Sequence, residues 1–316
     1  MTQEEILKAI IDTSAGGQLS PENAKQFIDT TVDQSPFLKK ISVVQMTANT
    51  YNIDTVGVDS RIMQAPGEGV APSTVQGANI GRRQLVTKEV VLPYDISFTF
   101  LEENITKEQA DAKLQQIFTV QFGNDTLDMA VNGDESLAET ITDADVDGKD
   151  DVTGLTQKDH TFLRLNNGWI ALMLADTKTH KTTFGEATAT QKTRLAAVLK
   201  NMPSKWKINK DRLCFLMSVN DYEDYQTEVG NTAADAGIQT LLTGPNLKYK
   251  GISIEPVAFV PDGTIILTLY VNLYIGIGRD IRVGKFANER KRVVEYTITA
   301  KLDYNYAVSD AIVIGK

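Results

Sequence analysis

The chain has 316 residues, with 32 Lys and Arg against 41 Asp and Glu and a formal net charge of −9. That length can bury a core as one large or two ordinary domains without staples, and the single cysteine, Cys214, excludes an intrachain disulfide. The acidic balance argues against a sequence-reading nucleic-acid binder, which needs a basic face to displace counterions, and neither a long apolar run nor a basic leader marks a membrane span or signal peptide.

Residues 1–35 read as two short amphipathic helices. Thr2-x-x-Glu5 has capping-box spacing ahead of Ile6, Leu7, Ile10 and Ile11, and Ser20-Pro21 pairs an N-cap with proline at the first helical position, ahead of Ala24, Phe27, Ile28 and Val32. Helices this short need a docking surface, either this chain's own core or a neighbouring subunit. Ile41 to Val58 is β-prone. Asp59 to Gln84 is rich in glycine, proline and arginine and poor in large apolar residues, so it builds no core of its own. With strands on both sides it predicts a long projecting hairpin that presents Arg61, Arg82 and Arg83 to a partner; a solvated loop is the plain alternative.

Leu85 to Phe100 reads as one strand, alternating from Tyr94 so that Tyr94, Ile96, Phe98 and Phe100 share a face. Thr106-Lys107-Glu108-Gln109 is a capping box opening a long helix. Ala110, Leu114, Ile117, Phe118, Phe122, Leu127, Ala130 and Val131 form one apolar stripe over roughly 27 residues, or ~40 Å at 1.5 Å per residue. Asn132-Gly133-Asp134 ends it, with glycine free to take positive φ. Asp143, Asp145 and Asp147, followed by Gly148 and by Asp151 at the ninth position, match the start of a calcium loop, but Gly154 stands where its bidentate glutamate belongs. Calcium binding and a solvated acidic loop are both open readings of that stretch.

From Gly168 helices and strands alternate. Trp169 to Leu174 reads as a buried helix, and Leu195, Val198 and Leu199 stripe a second that ends before Pro203. Arg212 to Met217 is a short apolar strand in which Cys214 reads as a small buried hydrophobe. Asn220 is expected to cap a helix carrying Tyr222 and Tyr225, and Leu241-Leu242 to close another at Gly244. A turn at Lys250-Gly251 leads into a strand that Pro256 demotes to an edge or bulge. Thr264 to Ile277 and Arg290 to Ile314 are strongly β-prone, so the class is α+β with long antiparallel strands.

No nucleophile, metal or nucleotide motif assembles. His160 and His180 belong to no ligand spacing and read as exposed loop residues, and Gly276-Ile277-Gly278 only begins a dinucleotide pattern. Neither an enzyme nor a cofactor is indicated beyond the calcium reading.

Taken in order, these features resemble the major capsid proteins of tailed bacteriophages with the Hong Kong 97 shell fold. The resemblance rests on the hairpin, on the long helix closing at Val131-Asn132-Gly133-Asp134, on Asn209 to Tyr222 as strand, polar cap and tyrosine helix, on Leu242-Thr243-Gly244-Pro245 through Val257, and on the closing Ser309 to Ile314. It implies an N-terminal arm (1–50), an extended hairpin loop with flanking strands (51–100), a peripheral domain with spine helix 106–133 and acidic loop (101–165), a mainly axial domain (166–255) and return strands (256–316). The family implies hexamers and pentamers closing an icosahedral shell around double-stranded DNA, without sequence-specific binding and without membrane. It also implies a virion location, assembly in the host cytoplasm, a portal protein and a decoration protein. Arg61, Glu68, Arg82, Arg83, Ile6, Ile10 and Phe27 would then be intersubunit contacts. Some members cross-link a hairpin-loop lysine, yet no lysine lies between Ile41 and Thr87, so a non-covalent shell is expected. The arm starting at Met1 leads to the expectation of a separate scaffolding protein. An encapsulin-like compartment shell and a calcium-binding surface protein are the alternatives.

Overall fold

The computed structural model describes residues 28–29, 37–57, 79–99, 107–141, 149–150, 154–185, 190–231, 247–278 and 281–316. Its strands are β1 (Ser42–Met46), β2 (Thr50–Gly57), β3 (Asn79–Val86), β4 (Lys88–Ser97), β5 (His180–Thr182), β6 (Leu213–Met217), β7 (Lys248–Tyr249), β8 (Ile252–Pro256), β9 (Ile265–Leu269), β10 (Leu273–Gly278), β11 (Arg282–Asn288), β12 (Val293–Tyr306) and β13 (Val313–Gly315). The helices are α1 (Lys107–Asn132), α2 (Gln157–Leu163), α3 (Trp169–Ala175), α4 (Gln191–Asn201), α5 (Ser204–Lys207) and α6 (Val219–Gly230). The α+β class holds.

One sheet is built on β12, whose alternating sequence buries every second side chain. Strand β4 lies antiparallel along one side, from Val293 opposite Ser97 to Leu302 opposite Lys88. Strands β11 and β10 follow one another along the other side, and β1 pairs parallel to β10. The helix α1 seats on this sheet through stacked aromatics. Tyr94 of β4 stacks on Tyr296, its register partner in β12, at 4.9 Å and on Phe118 of α1 at 3.7 Å.

The second sheet has the order β5-β13-β9-β6-β8-β7. All five residues of β6 are buried because both faces of the sheet are covered. Leu213, Phe215 and Met217 pack with Leu195 and Val198 of α4, with Met202 just past its end, and with Tyr222 and Tyr225 of α6. Cys214 and Leu216 join the main core with Trp169 and Met173 of α3 and the end of α1. Burial pushes the Cys214 thiol up, so it packs as a small hydrophobe, as expected.

Several local expectations need correction. Leu85 to Phe100 is not one strand: Thr87 separates β3, which pairs with β2, from β4, which pairs with β12, and Phe98 and Thr99 are helical. Thr264 to Ile277 is likewise broken by a turn of 3₁₀ helix at Tyr270–Asn272. Ile117 is 53% exposed, while the second half of α1 is buried nearly all round, Thr126 included. The cap of α6 is Ser218, whose side chain accepts from Asp221 N–H, and Asn220 lies inside the helix. Pro256 does not make β8 an edge: β8 lies between β6 and β7, with proline at its last position. His160 is buried on α2 with Nδ1 3.4 Å from the Ala138 carbonyl, and His180 sits in β5 with Nε2 3.1 Å from Asp310.

Gly133 is needed for closeness rather than for positive φ. A Cβ there would lie 2.3 Å from Asn166 O and 2.6 Å from Met129 O, and one on Gly168, the N-cap of α3, would lie 2.7 Å from Gly133 N. The two backbones touch, with Gly168 N–H donating to Gly133 O at 2.7 Å. Gly168→Ala should therefore destabilise the fold by about 3 kcal/mol in urea unfolding, whereas Gly185→Ala, with open space at its Cβ, should leave the midpoint unchanged.

Candidate functional site

The hairpin predicted from composition is present as β2 and β3, paired antiparallel from Thr50 opposite Val86 to Gly57 opposite Asn79. Its tip, with Arg61 and Glu68, lies outside the described residues, as do Ile6, Ile10 and Phe27 of the arm and Asp143, Asp145, Asp147 and Asp151 of the acidic loop. Among the described residues no group of three or more His, Cys, Asp or Glu could hold a metal ion. No described helix is long and apolar enough to cross a membrane.

Strand alternation gives the hairpin two unlike faces. Leu85 and Ile53 turn inward, buried with Met46 against Val44, Tyr274 and Ala307. Arg83 shares their side. Its guanidinium pairs with Asp176 at the end of α3, donates to Ser309 Oγ at 2.6 Å and lies 4.1 Å over the Tyr306 ring. Arg83 is thus bound within its own chain. The signal that would have shown this is the alternation itself, since 83 has the parity of the buried Leu85.

Asp176 is the centre of this latch. Tyr306 Oη donates to Oδ2 at 3.0 Å, Ser309 Oγ donates to it at 2.8 Å, and Lys178 N–H donates to Oδ1 at 2.9 Å. Partial burial alone would raise its carboxyl. These donors together with the Arg83 charge outweigh that and pull it down to about 2. Two further side chains of β12 hold the backbone of β3: Asp303 accepts from Val86 N–H at 2.6 Å, and Asn305 donates to Gln84 O at 2.9 Å. Burial raises the Asp303 carboxyl. The hairpin root is therefore fixed by side chains that a reading of local sequence does not connect.

The outer face carries Arg82 and Asp54, joined Nε to Oδ1 at 2.7 Å across the strands, and beside them the opposed apolar pair Val56 and Ile80, 73% and 63% exposed. The arm ends on the body of its own chain. Ile28 and Leu38 are buried in the main core, Phe37 meets Trp169 edge-on, and Lys40 bonds Glu255 at 2.6 Å.

Comparison with known proteins agrees with this geometry. No family model matches the sequence. A prophage capsid protein of Bacillus subtilis, YqbE, is 28% identical over 98% of this chain and 96% of its own length. A chain of the procapsid of satellite phage P4, a structure that includes the size determination (Sid) protein, superposes with a TM-score of 0.62 over 92% of this chain and 98% of that one, at 13% identity. The fold is that of a phage major capsid protein. The capsid of the empty GTA particle matches with a TM-score of 0.60 over 90% of this chain and 89% of that one, at 14% identity. In the capsid fold, the β2–β3 hairpin held by Arg83 and Asp176 is an arm with a fixed root and an exposed outer face.

Arg83→Ala should cost about 2 kcal/mol in urea unfolding and speed trypsin cleavage within residues 58–78 at least tenfold. The pH dependence has a definite sign. A depressed carboxyl contributes stability that is complete above the ordinary aspartate range, near 4, and is lost as pH falls toward about 2. The stability difference between the parent and Asp176→Asn should be constant above about pH 4 and shrink below it.

Proposed function

We propose that this chain is the coat subunit of a phage or prophage head, assembling into hexamers and pentamers that close an icosahedral shell around double-stranded DNA. The observation that carries the reading is correspondence over most of the length of both chains, 92% of this chain and 98% of the matched chain of the P4 procapsid.

The hairpin supports this role by its two faces. The inner face is locked to the body, so the outer face, with Arg82, Asp54, Val56 and Ile80, is held out for the adjacent subunit, and Arg61 and Glu68, between β2 and β3 in the chain, are intersubunit contacts as well. Ile6, Ile10 and Phe27 of the arm bind neighbouring subunits, with Ile28 as the anchor on the home chain. A closed shell repeats each contact over many copies, so each can be modest. A separate scaffolding protein guides assembly in the host cytoplasm, a portal protein occupies one vertex, and a decoration protein binds outside. The acidic net charge keeps packaged DNA from adhering to the wall. The acidic stretch of Asp143, Asp145, Asp147 and Asp151 binds calcium as an accessory to the shell, and a rise in melting temperature with calcium, abolished in Asp145→Asn, tests this.

Negative-stain microscopy of the chain co-expressed with its scaffolding protein should show closed shells, and a species that stays monomeric would refute the reading. With no lysine between Ile41 and Thr87, mature particles should run as monomer on denaturing gels, whereas ladders of covalent oligomers would contradict the non-covalent shell.

A further inference from the structure

The sheet ordered β5-β13-β9-β6-β8-β7 is electrostatically polar along its strands. At the end where the parallel strands β6 and β8 begin, the exposed residues are basic: Lys210 and Arg212 in the 3₁₀ turn before β6, and Lys250 in the turn before β8. These turns touch, with Lys210 Nζ donating to Lys250 O at 3.1 Å. Asp211 is the one acid in the turn, and Lys205 nearby is already paired with Asp310. Ile208 stands beside the cluster 80% exposed.

Toward the other end, where β6 and β8 finish, exposed acids gather and Lys316 at the end of β13 is an exposed base on the same rim. Glu223 and Asp224 lie on the outer side of the first turns of α6, and Asp262 lies in the loop before β9, tied to Asn220 of α6 at 3.0 Å. Two nearby bases are engaged within the chain: Arg194 lies 3.8 Å from Asp221, and Lys192 donates to Glu228 O at 3.0 Å. Val219 adds an apolar contact at 40% exposure. The five residues of β6 separate the two ends by roughly 17 Å at about 3.3 Å per residue.

We propose that copies of this chain join head to tail through this sheet, with Lys210, Arg212 and Lys250 of one subunit set against Glu223, Asp224 and Asp262 of the next. The inference rests on the shell reading above and assigns the surfaces that make its rings. The occupant is a second copy because bases predominate at one end and acids at the other, with one exposed aliphatic at each. The patches lie toward opposite ends of the same sheet, so a contact that satisfies one leaves the other open to a third copy. That is a heterologous interface, which closes into rings when the rotation allows. Charge of this kind sets partner orientation and encounter rate more than raw affinity, which suits an interface that must form and correct itself during assembly.

The test reverses each end. One variant carries Lys210→Glu with Arg212→Glu, so both its ends are acidic. A second carries Glu223→Lys with Asp224→Lys, so both are basic, and a third carries all four changes. Each is co-expressed with the scaffolding protein, checked for an unchanged melting temperature, and examined by light scattering and microscopy. Each two-site variant alone should lose particles at least tenfold, and the four-site chain should recover closed shells. An equimolar mixture of the two-site variants can satisfy every contact only by alternating. It should therefore form six-membered rings and tubes or sheets of them, but no five-membered rings and no closed shells. Two-site variants that assemble like the parent, or a folded four-site chain and mixture that both stay unassembled, would overturn the inference while leaving the shell reading intact. A parent chain that itself fails to assemble would overturn the shell reading instead.

Discussion

Strand β12 is the element on which the rest of the structure depends. Its fourteen residues bond β4 on one side and β11 and then β10 on the other, so three strands take their register from it. The aromatic stack of Tyr296, Tyr94 and Phe118 then sets the height and rotation of the spine helix over the sheet. Past the end of its pairing with β4, the same strand turns to a different task. Asp303 and Asn305 fix the backbone of β3, and Tyr306 forms one wall of the Arg83 and Asp176 latch. The sheet that builds the core therefore also aims the hairpin.

That coupling suits a shell subunit. A projecting arm transmits force and position to a neighbour only if its root is rigid, and a root made of unpaired ladder bonds alone would hinge. Here the root combines an apolar plug of Leu85, Ile53 and Met46 with a charge cluster whose carboxylate stays ionised well into acid. Leu85 also lies against the bare backbone of Gly276, where an added Cβ would fall 3.1 Å from its Cδ1 and 2.6 Å from Met46 Sδ. The close glycine contact of Gly133 and Gly168 plays a similar part at the far end of the spine helix, seating α1 on the start of α3 with no side chain between them.

The second sheet is covered on both faces, by α4 and α6 on one and by the main core on the other, which is why β6 reads as an unbroken apolar run. With its faces occupied, what that sheet presents to other molecules is its ends and the outer sides of its helices. The exposed charges toward its two ends are mainly of opposite sign.

The sequence by itself determined the elements whose cause is local: the long helix and its end at Asn132, the apolar strand at β6, the alternating final strands, and a hairpin where glycine, proline and arginine displace core residues. Their order was enough for the shell-fold resemblance, because hydrophobic period and turn chemistry act within a few residues. Tertiary structure decided what depends on partners far along the chain. Arg82 and Arg83 are indistinguishable as neighbouring arginines, yet one lies on an exposed face and the other is bound to Asp176, 93 residues away. His160 looked like a loop residue and is buried because α2 packs on the spine helix, and Gly133 was assigned a dihedral role when the approach of Gly168 is what demands it. Such roles are set by which surfaces meet, and no window of sequence contains both surfaces.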